Sequence, residues 1–314
     1  MTSDYTTEVA EHSLVTWRTR AGDEFSPGFV HDGAVWPIAD VAGIDGDVIA
    51  AAVLANDAGI DELVSRVTGS GADTVSLADI ELGPPVLRPS KILCLGLNYK
   101  AHADGAGFEL PPVPVFFAKF QNGLVGADAN VILPRSDDKV DYEGELAVVI
   151  GRRAKHVSRE DALDYVAGYA VFNDVSARDL QLATSQWTHG KGVDTFAPMG
   201  PGLVPAALIP DPQNLQLTTK LNDDIKQHDS TGSMVFSVAE TIEFISEVMT
   251  LEPGDVIATG TPAGVVFEQQ QQRWLVDGDV MAVTIEGLGT LRNPTVSEAA
   301  AAQGDRAGAA SSAA

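Results

Sequence analysis

The rhythm of apolar and polar positions changes along this chain, and each change predicts a different element. Residues 14–38 alternate apolar with polar side chains, and His31-Asp32-Gly33-Ala34 interrupts them as a hairpin signal between Phe29-Val30 and Val35-Trp36. From about Val48 to Val67 apolar positions recur at helical spacing, and the pattern stops near Gly69. Together these segments read as a small N-terminal α+β domain over residues 1–86. Gly83-Pro84-Pro85 and Arg88-Pro89 close it as a stiff linker, because proline fixes its own φ and pushes its predecessor toward extended geometry.

Short apolar strands dominate residues 90–296, with candidates at 91–96, 114–118, 143–150, 169–173, 216–221, 255–259 and 280–286. Two helices are expected among them. One follows Ser158, with Asp161 three residues on, and ends near Gly168. The other runs from about Val238 to Met249 behind Ser237 and Glu240, a capping-box pair, and stops before Pro253-Gly254. Strand-rich stretches with few helices predict an α+β, mostly β fold rather than a doubly wound sheet. The Ala/Gly-rich segment 297–314 reads as a disordered tail.

Charge and cysteine content narrow the function. The formal net charge is −24, so a nucleic-acid-binding surface, which needs Lys and Arg for phosphates, is excluded as an expectation. An anionic small substrate remains compatible, because a few local cations and a metal can reverse the potential inside one cleft. The one cysteine, Cys94, lies in the apolar run Ile92-Leu93-Cys94-Leu95 and reads as a small buried hydrophobe. The polar N-terminus lacks a signal-peptide pattern, and no apolar run reaches the ~20 residues that cross a bilayer. A soluble, cytoplasmic protein with no membrane partner is expected.

The segment Asp141-Tyr142-Glu143-Gly144-Glu145-Leu146-Ala147-Val148-Val149-Ile150 carries the chemistry. Its second half is a buried strand, and strand periodicity puts Glu143 and Glu145 on one face. Carboxylates that close must take up a proton or share a cation. A third, Asp174, ends the apolar run Tyr169-Ala170-Val171-Phe172-Asn173, with Arg178 four residues on. Three carboxylates without a His or Cys pattern favour a hard octahedral ion, Mg²⁺ or Mn²⁺.

With Gly96-Leu97-Asn98-Tyr99-Lys100-Ala101-His102, Lys191-Gly192-Val193-Asp194-Thr195-Phe196 and Thr259-Gly260-Thr261-Pro262-Ala263-Gly264-Val265, these residues resemble the fumarylacetoacetate hydrolase superfamily over roughly 91–296. The resemblance implies a mixed β-sandwich roll with a smaller N-terminal domain, and a homodimer. It implies Glu143, Glu145 and Asp174 as metal ligands, Arg178 and Lys191 as cations that receive substrate carboxylate or oxyanion, and Thr261 as a hydroxyl donor. Gln181, Gln227 and Tyr142 follow as further substrate-binding positions. His102 becomes the general base, on a mobile lid that reaches to Pro111-Pro112.

In hydrolytic members that histidine is followed three residues later by Glu, which orients it. Here position 105 is Gly, so Asp104 or Glu109 on lid closure, or a bound water, is expected to take over. His12, His31, His156 and His228 lie in no motif and read as ordinary polar residues. The leading expectation is a metal-dependent hydrolase that cleaves a C–C bond in a small acylpyruvate or 1,3-dicarbonyl acid from ring-degradation catabolism. An isomerase or decarboxylase of a 2-oxo or 2-hydroxydienoate diacid on the same metal site is the alternative, and a non-catalytic, metal-stabilised dimeric binding protein is a third. If the dimer forms, light scattering should report about twice the 32.9 kDa chain mass; the mass of a single chain would refute it.

Overall fold

The computed structural model describes residues 6–19, 22–44 and 46–303. Its centre is the pair of antiparallel strands Gly144–Ile150 and Val166–Asn173, every residue of which is buried. Side chains on alternate positions of this pair feed two different cores, as strand geometry requires. Leu146, Val148, Ile150, Tyr169 and Val171 face a second sheet and pack with Leu217, Val283, Ile285 and Leu291. Ala147, Val149, Ala170 and Phe172 face the other way and pack with Phe29, Ala51, Ala55 and Leu63.

The large sheet runs in the order Val75–Ser76, Ala34–Pro37, Ser26–His31, Leu14–Arg18, Ala197–Pro205, Val166–Asn173, Gly144–Ile150, Val256–Ala258, Ile92–Gly96, Val115–Lys119. Along this path only Val256–Ala258 with Ile92–Gly96 is parallel. The second sheet orders Glu8–Val9, Gly289–Ser297, Val280–Ile285, Gln216–Leu221 and Asp224–Ser230. Helix Val238–Val248 adds Val238, Ile242 and Ile245 to the core between the sheets. The fold is thus α+β and mostly β, a mixed β sandwich as the sequence predicts.

The predicted hairpin is present: Ser26–His31 pairs with Ala34–Pro37 through Asp32 (φ 52°) and Gly33 (φ 71°). Two positive φ values at the centre are what a tight hairpin turn demands. The Ser237–Glu240 capping box also forms, with both reciprocal bonds made. The N-terminal strands are not a separate sheet, since Leu14 pairs with Leu203 and carries the large sheet across.

Three expectations need correction. The helical stretch 48–67 is two helices, Val48–Ala58 and Ile60–Thr68, broken at Gly59, whose φ of 92° an L-residue rarely adopts. The helix after Ser158 does not form. Ser158 Oγ donates to Asp161 Oδ2 at 2.7 Å and closes a turn, a 3₁₀ segment spans Ala162–Tyr165, and the chain then enters the Val166–Asn173 strand. That segment's buried Val166, Tyr169 and Val171 suit a strand better than a helix. The tail begins ordered, since residues 298–303 are helical; 304–314 lie outside the described residues.

The strand Ala197–Pro205 was missed because its Pro and Gly content masks its pattern. Cys94 is buried, and burial followed by the charges of Asp174 and Glu145 pushes its thiol up. No helix among the described residues is long and apolar enough to cross a membrane. Because Leu146 sits fully buried on the central strand, Leu146→Ala should cost about 2–5 kcal/mol of stability. Urea denaturation would measure this, and a loss near zero would show the sandwich interior to be wrongly described.

Candidate active site

The two central strands end where the chemistry begins. Glu143 and Glu145 flank Gly144 at the start of one strand, and Asp174 follows the last residue of the other. The register sets Gly144 opposite Asn173 and Glu145 opposite Phe172, and the Asp174 N–H donates to the Glu143 carbonyl at 2.8 Å. All three carboxylates are buried, and one oxygen of each lies within 4.8 Å of the others.

Buried carboxylates at this spacing repel unless cations sit among them. Lys191 Nζ donates to Glu143 Oε2 at 2.7 Å and to Asp174 Oδ2 at 2.8 Å. Lys119 Nζ donates to Asp174 Oδ1 and, at 2.9 Å, to the Val175 carbonyl. Arg178 Nη1 pairs with Glu143 Oε1 at 2.7 Å, while its Nε and Nη2 donate to Asp141 Oδ2 at 3.0 and 2.7 Å. Asp141 in turn accepts the backbone N–H groups of Tyr142, Val266 and Phe267. With every group ionised, the four carboxylates would exceed the three cations by one negative charge.

The individual carboxyls respond differently. Burial would raise Glu143, but Lys191 and Arg178 outweigh it and hold the group below the usual carboxylate range. Burial, reinforced by the charges of Asp174 and Glu143, pushes Glu145 well above that range. Burial would also lower Lys191, yet Asp174 and Glu143 keep it above its ordinary value. For Lys119 burial prevails over Asp174, and the ammonium is lowered.

Glu145 is the residue that an ion would satisfy. Its Oε2 accepts the Gly260 N–H at 2.9 Å, while its Oε1 is buried with no hydrogen-bond partner. A buried, orphaned carboxylate oxygen carries a full desolvation cost. The Glu143 and Asp174 oxygens bound to Lys191 each retain a further lone pair. An all-oxygen donor set of this kind fits Mg²⁺ or Mn²⁺.

His102 lies on the short helix Lys100–Ala106, with its ring in the same cavity as Glu143, Glu145, Arg178, Lys191 and Thr261. Its Nδ1 bonds Glu268 Oε1, and Glu268 Oε2 accepts the Gly264 N–H at 2.7 Å. The expected orienters are thereby corrected. Asp104 is exposed and pairs with Lys100 at 2.7 Å, one helical turn back; Glu109 is exposed. A Cβ built on Gly105 would lie 3.0 Å from Glu268 Cδ. Glycine at 105 thus makes room for a carboxylate that arrives from 166 residues away.

The remaining sequence-predicted residues divide. Thr261 and Gln181 line the cavity; Thr261 Oγ1 donates to the Gly144 carbonyl at 2.8 Å, and Gln181 Oε1 accepts from Arg178 at 2.9 Å. Gln227 and Tyr142 sit behind the cavity wall rather than on it. Gln227 bridges the Gly144 N–H, Thr261 and the Pro262 carbonyl, and the Tyr142 hydroxyl donates to the Gly264 carbonyl at 3.1 Å. Both brace the loop that carries Thr261. Sequence reading missed Lys119, Asp141 and Glu268. Lys119 had a signal, a lysine ending the apolar run Val115-Phe116-Phe117-Ala118, and Asp141 stands two residues before Glu143. Nothing in the sequence links Glu268 to His102.

Away from the charges the cavity is apolar, walled by Leu95, Phe108, Phe117, Leu182, Trp187 and Phe267. Phe117 meets Trp187 edge to face at 5.5 Å, and Arg178 lies 5.4 Å from the centre of the Phe267 ring. The lining cations Arg178 and Lys191 both sit at the carboxylate end.

Comparison with known proteins places these residues in context. Residues 91–296 match the family described as fumarylacetoacetate (FAA) hydrolase C-terminal. The Bos taurus protein named oxaloacetate tautomerase FAHD2A, mitochondrial, is 40% identical over 236 residues, covering 74% of this chain and 75% of that one. The crystal structure of 2-hydroxyhepta-2,4-diene-1,7-dioate isomerase from Mycobacterium marinum is similar at 36% identity and TM-score 0.72, covering 93% of this chain and 99% of its own. Fumarylacetoacetate hydrolase from Exiguobacterium antarcticum is similar at 32% identity and TM-score 0.77, covering 91% and 100%.

If Glu268 orients His102, Glu268→Gln should lower kcat by about 10²–10⁴, the range of general-base loss. Asp104→Asn and Glu109→Gln should change it little. Gly105→Glu should impair turnover by pushing Glu268 aside. Steady-state kinetics on the four variants decides, and an inactive Asp104→Asn beside a fully active Glu268→Gln would reverse the assignment.

Proposed function

The chain belongs to the fumarylacetoacetate hydrolase family, and on that basis we propose that it is a divalent-metal-dependent enzyme that interconverts the keto and enol forms of a small 2-oxo acid. The observation that carries this reading is the His102–Glu268 pair facing a carboxylate cluster seamed with cations. Glu143, Glu145 and Asp174 would hold Mg²⁺ or Mn²⁺, which when bound supplies a Lewis acid for the oxo oxygen.

The protein's own residues account for the proton. With Nδ1–H directed at Glu268, the imidazole keeps the lone pair of Nε2 for substrate. Nε2 takes a proton from C3 of the 2-oxo acid; the C–H electron pair becomes the C2=C3 bond and the carbonyl pair moves onto oxygen. Return of the proton to oxygen or carbon completes either direction. Lys191 and Arg178 lie where that negative charge develops, buried and already oriented by Glu143, Asp174 and Asp141. The apolar wall favours a small or hydrocarbon-tailed acid over a long diacid, because both lining cations are at the carboxylate end. The names of the bovine and M. marinum relatives, a tautomerase and an isomerase, support the same chemistry.

Hydrolytic C–C cleavage of an acylpyruvate is a second reading, and the completed His102–Glu268 pair favours it, since that base could equally activate water. It asks for more, namely a water held at the acyl carbon, whereas tautomerisation needs, besides the metal common to both readings, only side chains already in place. A homodimer remains part of either reading.

Chelator treatment should abolish turnover and Mg²⁺ or Mn²⁺ should restore it, with Asp174→Ala inactive throughout. In D₂O, the protein with metal should speed deuterium uptake at C3 of oxaloacetate, followed by NMR, and His102→Ala should slow that uptake by about 10²–10⁴. Cleavage of acylpyruvates into two acids without C3 exchange in oxaloacetate would replace the tautomerase reading with the hydrolase one.

A further inference from the structure

Glu11 and His12 form the turn before the strand Leu14–Arg18, His31 ends the strand Ser26–His31, and outside the catalytic cavity their three side chains converge. His12 Nε2 stands 3.2 Å from His31 Nδ1, His31 Nδ1 stands 3.1 Å from Glu11 Oε1, and His12 Nε2 stands 3.7 Å from the same oxygen. The triangle is held from several sides. The His12 ring stacks on Phe29 at 5.7 Å and 3°. The Asp32 N–H donates to Glu11 Oε1 at 2.7 Å. His12 itself has a φ of 64°, a conformation that costs a non-glycine residue energy and persists only where its surroundings impose it.

Protons alone satisfy this arrangement poorly. A ring nitrogen carries either one hydrogen or one lone pair, so His31 Nδ1 cannot donate to Glu11 and accept from His12 together. If it donates, His12 Nε2 faces an N–H already used; if it accepts, its lone pair faces a carboxylate. A cation at the centre would instead meet three lone pairs at once. The dimensions suit one: bonds of about 2.0–2.1 Å at the tetrahedral angle separate neighbouring ligand atoms by about 3.3 Å, close to all three observed edges. Two imidazoles and one carboxylate select a borderline first-row ion rather than Mg²⁺. Asp32 Oδ2 lies 3.7 Å from the outer nitrogen of His31, on the side where a metal-bound imidazole commonly has a carboxylate neighbour.

We propose that Glu11, His12 and His31 form a second metal site for a borderline divalent ion of the Zn²⁺ or Co²⁺ class, with at least one coordination position left to solvent. Such an ion would clip the turn at Glu11-His12 to the Ser26–His31/Ala34–Pro37 hairpin and so brace the outer part of the large sheet. The part-exposed side chains of His12 and His31 give it access from solvent. This proposal does not depend on the reaction assigned to the catalytic cavity.

The test uses the full chain in millimolar Mg²⁺, with Co²⁺ as the probe, read by visible absorption and calorimetry. Asp174→Asn removes a catalytic-site ligand and should retain one Co²⁺ at the new site. His31→Gln and Glu11→Gln should each weaken that binding roughly tenfold or more, by the scale on which loss of even an outer-shell partner acts. Both should keep turnover, which shows that they are folded. Zn²⁺ should raise the Tm of Asp174→Asn but not of the double variant Asp174→Asn/His31→Gln. The proposal is overturned if Asp174→Asn binds no Co²⁺, or if Asp174→Asn/His31→Gln binds it as tightly as Asp174→Asn.

Discussion

The cluster of buried charge at the ends of two antiparallel strands is the constraint on which the rest of the structure depends. Glu143, Glu145 and Asp174 can be packed together only because Lys119, Lys191 and Arg178 enter the same volume. Removing one partner of such a buried pair costs about 3–5 kcal/mol, because the other charge is left uncompensated. The fold must therefore deliver each cation accurately. Lys119 comes from the edge of the large sheet, and Lys191 and Arg178 come from two short helices after Asp174. With every group ionised the carboxylates would exceed the cations by one, and burial beside Asp174 and Glu143 answers by pushing up the Glu145 carboxyl, whose Oε1 has no partner in the interior.

Close backbone packing makes this delivery possible. Gly144 lies between the two glutamates, where a Cβ would strike Thr219 and crowd Val283 of the second sheet. The loop that begins at Gly260 donates its N–H to Glu145 and returns Thr261 to the Gly144 carbonyl. Gln227, from the second sheet, ties the two together through the Gly144 N–H and the Thr261 hydroxyl. Side chains that touch no substrate thus fix those that line the cavity, and a small displacement of either sheet would reach the carboxylates directly.

The same logic governs the base. Its carboxylate partner comes not from its own helix but from the 3₁₀ turn Val266–Glu268, whose first two residues donate their N–H groups to Asp141. Asp141 also anchors Arg178. One buried aspartate therefore couples the position of the cation to that of the base's orienter, and the acid–base and electrostatic halves of the site share one support.

Residues near in sequence and governed by strand period were legible without coordinates. Glu143 and Glu145 at spacing two, Asp174 at the end of an apolar run, and the Asp32-Gly33 hairpin all follow from local geometry. So does the capped helix behind Ser237. The break at Gly59 and the turn at Ser158 were misjudged because periodicity registers neither a single positive φ nor the pull of a neighbouring strand. Glu268 became visible only in the folded chain, and Lys119, though it ends an apolar run, gained its role only from the fold. A carboxylate's partner is chosen by distance in space, and the sequence records no distance between residues 102 and 268. Tertiary structure likewise decided that Gly105 is room for Glu268 rather than a missing group, and that His12 and His31, unremarkable in the chain, bring their ring nitrogens together.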